Sequence, residues 1–326
     1  MDRRSACVAV AAFASLAAIP ATVRGARTAR VAWTSVDLAD PQSLYLLSFR
    51  DNLRAAGWIE GQNLTLDVWW GGGSIEGLRN LVPEIIARRP DVIVTAGGPA
   101  TRTLVNAKVT QPIAFTVSAD VVQAKLVESW RRPGVNRSGI SFFALDIIPK
   151  RLELMIEVLP RMKRVGIVGW PPHAGELLEL EAAEGATRKL GLEHRYFGAN
   201  SAAEVDAVLE SARAWGAQAI LAFAGGIAPR FADRFAAFSI RHRVPAFSSW
   251  AAFAEKGNLM TYGPVLHECY ARLATFVDRM LKGADPADMP VERPTKFELV
   301  VNMNAARAMG VTIPQSILVT ADRVIG

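Results

Sequence analysis

Cysteine is almost missing from this 326-residue chain, with only Cys7 and Cys269 present. A disulfide framework is thereby excluded, and the fold must stand on its apolar core. Histidine is also scarce: His173, His194, His242 and His267 are scattered, and none has a second ligand at metal spacing. All four read as surface residues. Beyond the first 26 residues no uncharged apolar run approaches the length of about 20 needed to cross a bilayer. No Gly-, Pro- or Ser-rich linker divides the chain, and no block of one charge sign stands out. The formal net charge of +6 is spread thinly, without a basic stripe interleaved with aromatics, so nucleic acid is not an expected partner.

Catalytic signatures are missing as well. There is no G-x-S-x-G elbow. Gly71-Gly72-Gly73-Ser74 follows a strand but lacks the Lys-Ser/Thr of a phosphate loop, and it reads as a flexible loop at a cleft rim. Gly97-Gly98 lacks the third glycine and the acidic residue of a dinucleotide fingerprint. Cys269 lies mid-helix among apolar neighbours and reads as a packed thiol. These absences point to a protein that binds without turnover, with no cofactor and no metal.

What is present begins with a leader. Asp2-Arg3-Arg4 precedes the uncharged run Ala6–Ile19, and small residues follow at Pro20-Ala21-Thr22 and Arg24-Gly25-Ala26. That pattern predicts a secretory signal peptide over residues 1–26, cleaved near Ala21 or Ala26. Loss of Arg3, Arg4, Arg24 and Asp2 takes the net charge from +6 to +4, and Cys7 leaves with them.

The rest alternates short apolar runs with amphipathic segments. Strands are expected at 29–36, 64–70, 91–97 and 112–119, with helices at 42–56, 75–88 and 99–108 between them. Such alternation argues for a parallel sheet covered on both faces. The pattern then restarts, with strands at 164–170, 192–199, 217–226, 244–250 and 258–263 and helices at 149–158, 174–190, 202–214 and 229–241. PDVIVTAGGPATR (90–102) and AQAILAFAGGIAPR (217–230) share wording, and each leads through a helix to a Pro-led strand. The composition, 51% apolar and 21% charged, supplies core for two α/β lobes in tandem. A long helix at 265–281, a Pro-rich crossing segment at 282–294 and a further strand and helix at 297–310 imply repeated passage between them.

In open parallel sheets ligands sit beyond the carboxyl ends of the strands. The expected site is therefore drawn from the loops there: Trp33 and Ser35; Gly97, Gly98, Pro99, Ala100 and Thr101; Ser118 and Asp120. The second lobe would add Trp170, Gly225, Gly226, Trp250 and Tyr262. A helix N-terminus with bare N–H groups favours an anion, and glycine lets a carboxylate approach closely. Pro99 suits the first helical turn, where no N–H is needed. Asp120 suits a ligand ammonium, with a helix cap as the alternative. The tryptophans suit an aromatic ligand or lobe packing. Whether the ligand's charge lies at Gly97-Gly98 or at Gly225-Gly226 is open at this stage.

Several longer stretches resemble a bacterial family of ABC transporter substrate-binding proteins, tryptophan- and tyrosine-type. PIAFTVSADVVQAKLVESWRRPGVNRSGIS (112–141) is similar to its hinge-side signature, KRLELMIEVLP (150–160) to its K-R-L-E-L-L-x-E-x-x-P, and LMTYGP (259–264) to its L-M-x-Y-G-P. AAGWIEGQNL (55–64) and LKGADPADMPVERPTKFELVVNMNAARAMGVTIPQSIL (281–318) carry the likeness to both ends. Val121 stands where the motif has proline, Val135 where it has a second glycine, and Trp69-Trp70-Gly71-Gly72 in place of R-x-A-x-G. The resemblance therefore implies no particular ligand. Asn136 and Gly139 match the motif and read as a turn opening a crossing strand.

The resemblance implies a type I periplasmic binding protein: two Rossmann-like lobes joined by a multi-crossing hinge. One lobe would comprise 28–142 plus 263–292 and the other 143–262 plus 293–326. It implies a periplasmic protein that captures a small ligand and delivers it to an inner-membrane permease; the strand-end residues suit an amino-acid-like or aromatic carboxylate, and a monomer is expected. The alternatives are a ligand-sensing partner of a membrane receptor and, behind it, a periplasmic α/β enzyme. The effector-sensing part of a transcription regulator would need an N-terminal helix-turn-helix where the leader stands.

Overall fold

The computed structural model describes residues 28–142, 145–173, 175–225 and 227–326. The expected signal peptide and Gly226 lie outside them.

The first half builds β1 (Ala29–Ser35), α1 (Leu44–Ala55), β2 (Leu64–Trp70), α2 (Ile75–Ala87), β3 (Val92–Ala96), α3 (Gly98–Asn106), β4 (Ile113–Val117) and β5 (Arg137–Ser141). Its sheet runs β2-β1-β3-β4-β5, and every pairing is parallel. Ser35 pairs with Trp70 on one side and Ala96 on the other, so the carboxyl ends of neighbouring strands finish level. Asn136 donates to Val109 O and Gln111 O, opening β5 as a turn. Gly139 lies opposite Phe115. A Cβ there would fall 2.0 Å from Phe115 O, so only glycine lets the strands approach this closely.

The second half builds α4 (Ile148–Val158), β6 (Arg164–Gly169), α5 (Glu176–Lys189), β7 (Glu193–Gly198), α6 (Val205–Trp215), β8 (Ala219–Ala222), α7 (Ile227–Arg230), α8 (Ala232–His242), β9 (Ala246–Ser248), α9 (Ala251–Glu255) and β10 (Met260–Pro264). After them come α10 (Leu266–Leu281), β11 (Phe297–Asn302), α11 (Met303–Met309), α12 (Gln315–Thr320) and β12 (Arg323–Ile325). The second sheet runs β12-β11-β10-β9-β8-β6-β7.

One pairing departs from the parallel expectation, for β10 and β11 are antiparallel. Between them α10 leaves for the first sheet, and the chain re-enters from the opposite end. Its buried stripe, Tyr270, Leu273, Phe276, Val277 and Met280, packs with Leu46, Phe49 and Leu53 of α1 in one core. Trp58 Nε1 donates to Asp278 Oδ1 at 2.8 Å and fixes that packing. The Pro-rich crossing segment then lies beside β5, with Ser141 N donating to Glu292 O and Glu292 N to Gly139 O. The chain thus passes between sheets after β5, between β10 and α10, and before β11.

The repeated wording of 90–102 and 217–230 gives unequal structures. α3 is a full helix, whereas α7 is a single turn before α8. The Gly-rich loop at 71–74 is a packed turn: Ser74 caps α2 by accepting from Gly77 N at 2.9 Å, and Gly71 is buried.

Candidate functional site

The carboxyl ends of β1, β3 and β4 face those of β6, β8 and β9 across a cavity of ≈350 Å³. This is within the range usual for small-molecule sites, about 300–1,000 Å³. One end is aromatic. Tyr45 of α1 stacks on Tyr270 of α10 with centroids 5.1 Å apart, and Trp33 tilts against Tyr270 at 5.4 Å. From the second lobe Trp250 meets Phe142 edge-on at 5.4 Å. All five rings line the cavity. The Tyr270 hydroxyl accepts from Thr116 Oγ1 at 3.1 Å, and Trp250 Nε1 donates to Ala224 O at 2.9 Å. These polar tips are tied to protein. Trp33 Nε1 is buried without a partner among the described residues.

The other end is the start of α3. Gly97 adopts φ +91°, a left-handed conformation that suits glycine, and its N–H donates to Thr116 Oγ1 at 3.1 Å. Pro99 occupies the first turn. Thr101 N bonds Gly97 O within the helix. The N–H groups of Gly98 and Ala100 have no intrahelical acceptor and, with the helix dipole, favour an anion. Ser118, at the end of β4, lies beside them.

Contacts between the lobes close this cleft. Ser118 Oγ and His173 Nε2 are 3.1 Å apart. Arg230 reaches Asp37 Oδ1 at 3.1 Å and Gly73 O at 3.2 Å. Ala224 and Trp250 belong to the same apolar cluster as Trp33, Phe142 and Tyr270. A second cavity, of ≈360 Å³, adjoins at Gly98, Pro99 and His173 and carries Arg79 and Arg102 on its wall.

A level row of strand ends thus faces a second such row across a cleft of small-molecule size. The profile of the ABC transporter substrate binding protein family matches residues 42–325. The chain belongs to this family. A tyrosine-binding protein of Clostridioides difficile (strain R20291) is 22% identical over 268 residues, 79% of this chain and 74% of that protein. A conserved domain protein of Vibrio cholerae superposes with a TM-score of 0.86 at 27% identity, covering 91% of this chain and all of that one. An ABC domain from Streptococcus pneumonia in complex with L-Trp superposes at 0.84 and 23% identity, covering 91% and 100%.

Within this substrate-binding protein, Trp33, Ser35, Gly97, Gly98, Pro99, Ser118, Gly225 and Trp250 line the cavity as the strand-end rule anticipates. The Ser35 hydroxyl is already engaged, donating to Asp37 Oδ2 at 2.7 Å. The other expected residues among those described do not line the cavity. Thr101 is fully buried, and its hydroxyl bonds Thr95 Oγ1 at 2.8 Å and Gly97 O at 3.0 Å. Asp120 Oδ1 accepts from Val122 N and Gln123 N, each at 2.9 Å, and so closes a turn outside the cavity lining. Trp170 packs on the α6–α8 side of the second lobe. Tyr262 stacks on Phe297 at 6.1 Å, inside the other core of that lobe. Ala100 is buried and offers only its backbone.

Gly225 makes room for a neighbouring ring. A Cβ there would lie 2.8 Å from His173 Cγ, so the missing side chain admits the imidazole ring. His173, expected at the surface, is buried, and burial pushes its pKa down to about 4. It follows Trp170-Pro171-Pro172 at a strand end, so the strand-end rule extended by one residue would have found it. Tyr270 lies on the same α10 stripe as Leu266 and Leu273, a helical-spacing signal available in the sequence. Tyr45 and Phe142 carried no such signal.

Behind His173, the second lobe buries Arg151, Glu176 and Glu179. Tyr196 Oη donates to Glu176 Oε1 at 2.7 Å, and Arg151 Nε donates to Tyr262 O at 2.8 Å. Burial lifts the Glu176 pKa to about 7; burial, and then the Glu176 charge, lifts Glu179 to about 8. Burial also raises the Cys269 thiol to about 12, which fits a packed group without reactivity.

Proposed function

We propose that this protein is the solute-binding component of an ABC importer, exported from the cytoplasm, which closes its lobes over a small aromatic ligand bearing a carboxylate. The lobes are 28–142 plus 263–292 and 143–262 plus 293–326. One observation carries the reading: a single cavity is lined both by the rings of Trp33, Tyr45, Trp70, Phe142, Trp250 and Tyr270 and by the N-terminus of α3 with Ser118. Rings bury an apolar body by offset and edge-on contact. Unpaired N–H groups at a helix start take an anion. The ligands named for the relatives, tyrosine and L-Trp, have both parts.

The cross-lobe contacts at Ser118–His173 and Arg230–Asp37 support a closed state that a ligand would favour by differential affinity. Delivery to a membrane permease follows the family's role. The chain would act as a monomer, since closure needs only its own two lobes.

Isothermal titration with L-tyrosine, L-tryptophan, phenylacetate and 3-phenylpropanoate tests the reading. Saturable binding of at least one is expected, together with a rise in thermal midpoint. Indifference to all four would overturn it.

A further inference from the structure

The imidazole of His173 has a defined hydrogen-bond direction. Gly175 N donates to its Nδ1 at 3.3 Å. A neutral ring carries one proton, so with Nδ1 accepting, the proton resides on Nε2. Burial keeps the ring neutral, its pKa falling to about 4. The 3.1 Å contact across the cleft therefore runs from His173 Nε2–H to Ser118 Oγ. Ser118 is buried and has no other hydrogen-bond partner among the described residues. Its own hydroxyl proton remains available, beside the bare N–H groups of α3.

We propose that His173 is a positioning residue: when the lobes close it donates to Ser118, and so commits the Ser118 hydroxyl to donate to a ligand carboxylate beside Gly98. This rests on the aromatic-carboxylate reading above and adds a selectivity to it. In the open state Ser118 can turn either way and serve as donor or acceptor. In the closed state only an acceptor on the ligand is matched, and a buried mismatch is penalised. The closed cleft thereby discriminates a carboxylate from a neutral amide, whose NH₂ group would face donors on every side. Gly225 belongs to the same device, because its bare Cα leaves the ring in place.

The direct test is long-range ¹H–¹⁵N spectroscopy of the imidazole rings in wild-type protein. A protonated Nε2 and an unprotonated Nδ1 on His173 are expected at neutral pH; the reverse tautomer would overturn the proposal. The second readout is the affinity ratio between 3-phenylpropanoate and 3-phenylpropanamide, and between L-tryptophan and L-tryptophanamide. Wild type should prefer the carboxylate by about tenfold or more, the usual scale of a charge-assisted hydrogen bond. His173→Phe and Ser118→Ala should lose most of that preference. His173→Gln, whose amide nitrogen can reach the position of Nε2, should recover it. An unchanged ratio in a folded His173→Phe would refute the assignment. If wild type binds none of these compounds the broader reading fails; if it binds them with the wrong tautomer or an insensitive ratio, only this inference does.

Discussion

Arg230 and Asp37 meet at 3.1 Å across the mouth of the cleft, one from each lobe, and Asp37 is in turn held by Ser35. The pair is partly exposed, with side-chain accessibilities of 29% and 56%, so solvent screens it. Exposed pairs contribute about 0–1 kcal/mol. Arg230→Ala should therefore weaken ligand binding no more than about fivefold and leave the apo thermal midpoint unchanged. Titration at low and high salt checks the cause: the wild-type advantage should shrink as salt rises.

Gly225→Ala is the sharper perturbation. Its Cβ would lie 2.8 Å from His173 Cγ, and neither group is a flexible chain end. Overpacking of this kind costs about 1–3 kcal/mol. The expected outcome is a lower midpoint in thermal denaturation and a ring displaced from Ser118. A variant as stable as wild type would show that the loop moves aside freely.

Tyr270 separates packing from polarity. Tyr270→Phe removes only the hydroxyl that accepts from Thr116, at a cost of about 1 kcal/mol. Tyr270→Ala removes a ring shared by the α1–α10 core and the cleft wall, and costs about 3–5 kcal/mol by analogy with other aromatic truncations. Denaturant melts should rank the two in that order, and titration should show aromatic ligands lost from the alanine variant alone.

The buried cluster predicts a pH dependence with a definite sign. Glu176 and Glu179 titrate at about 7 and 8 in the folded chain against 4.5 unfolded, so the folded state holds protons that the unfolded state releases. Their contribution is complete below pH 4.5 and is lost as pH rises through 7 and 8. His173 runs the other way: its pKa falls from 6.5 to about 4, so between those values stability rises with pH. Between pH 6.5 and about 7 the glutamates act without the histidine's opposition, so the net loss is steepest there and fades once both have ionised above about 8. Glu179→Gln should gain on wild type as pH is raised from 4.5 to about 8 and level off beyond it in calorimetric scans. Parallel curves would disprove the assignment.

Local features were legible in the chain. The strand, Gly97-Gly98-Pro99 and the helix after it follow from a few adjacent residues and from backbone rules. Asp120 was also a local question, and its Oδ1 accepts short-range hydrogen bonds from Val122 N and Gln123 N, the capping arrangement that its position allows. The direction of β11 was not legible, because hydropathy records burial and carries no sign for strand polarity. The Ser118–His173 contact spans 55 positions and exists only once two lobes are apposed. Tyr262 and Tyr270 look equivalent in sequence, yet the chain crosses from one lobe to the other between them, and that crossing sends only Tyr270 to the cavity.

Of the chain's eight tryptophans, Trp33, Trp70 and Trp250 line the cavity. Trp250 meets Phe142 across the gap between lobes, whereas Trp33 is packed within the first. Opening the cleft would bare one indole to water and leave the other's surroundings nearly intact. The molecule thus carries its own optical gauge: emission from Trp250 should shift to the blue as the lobes shut, and no attached dye is needed to watch a ligand arrive.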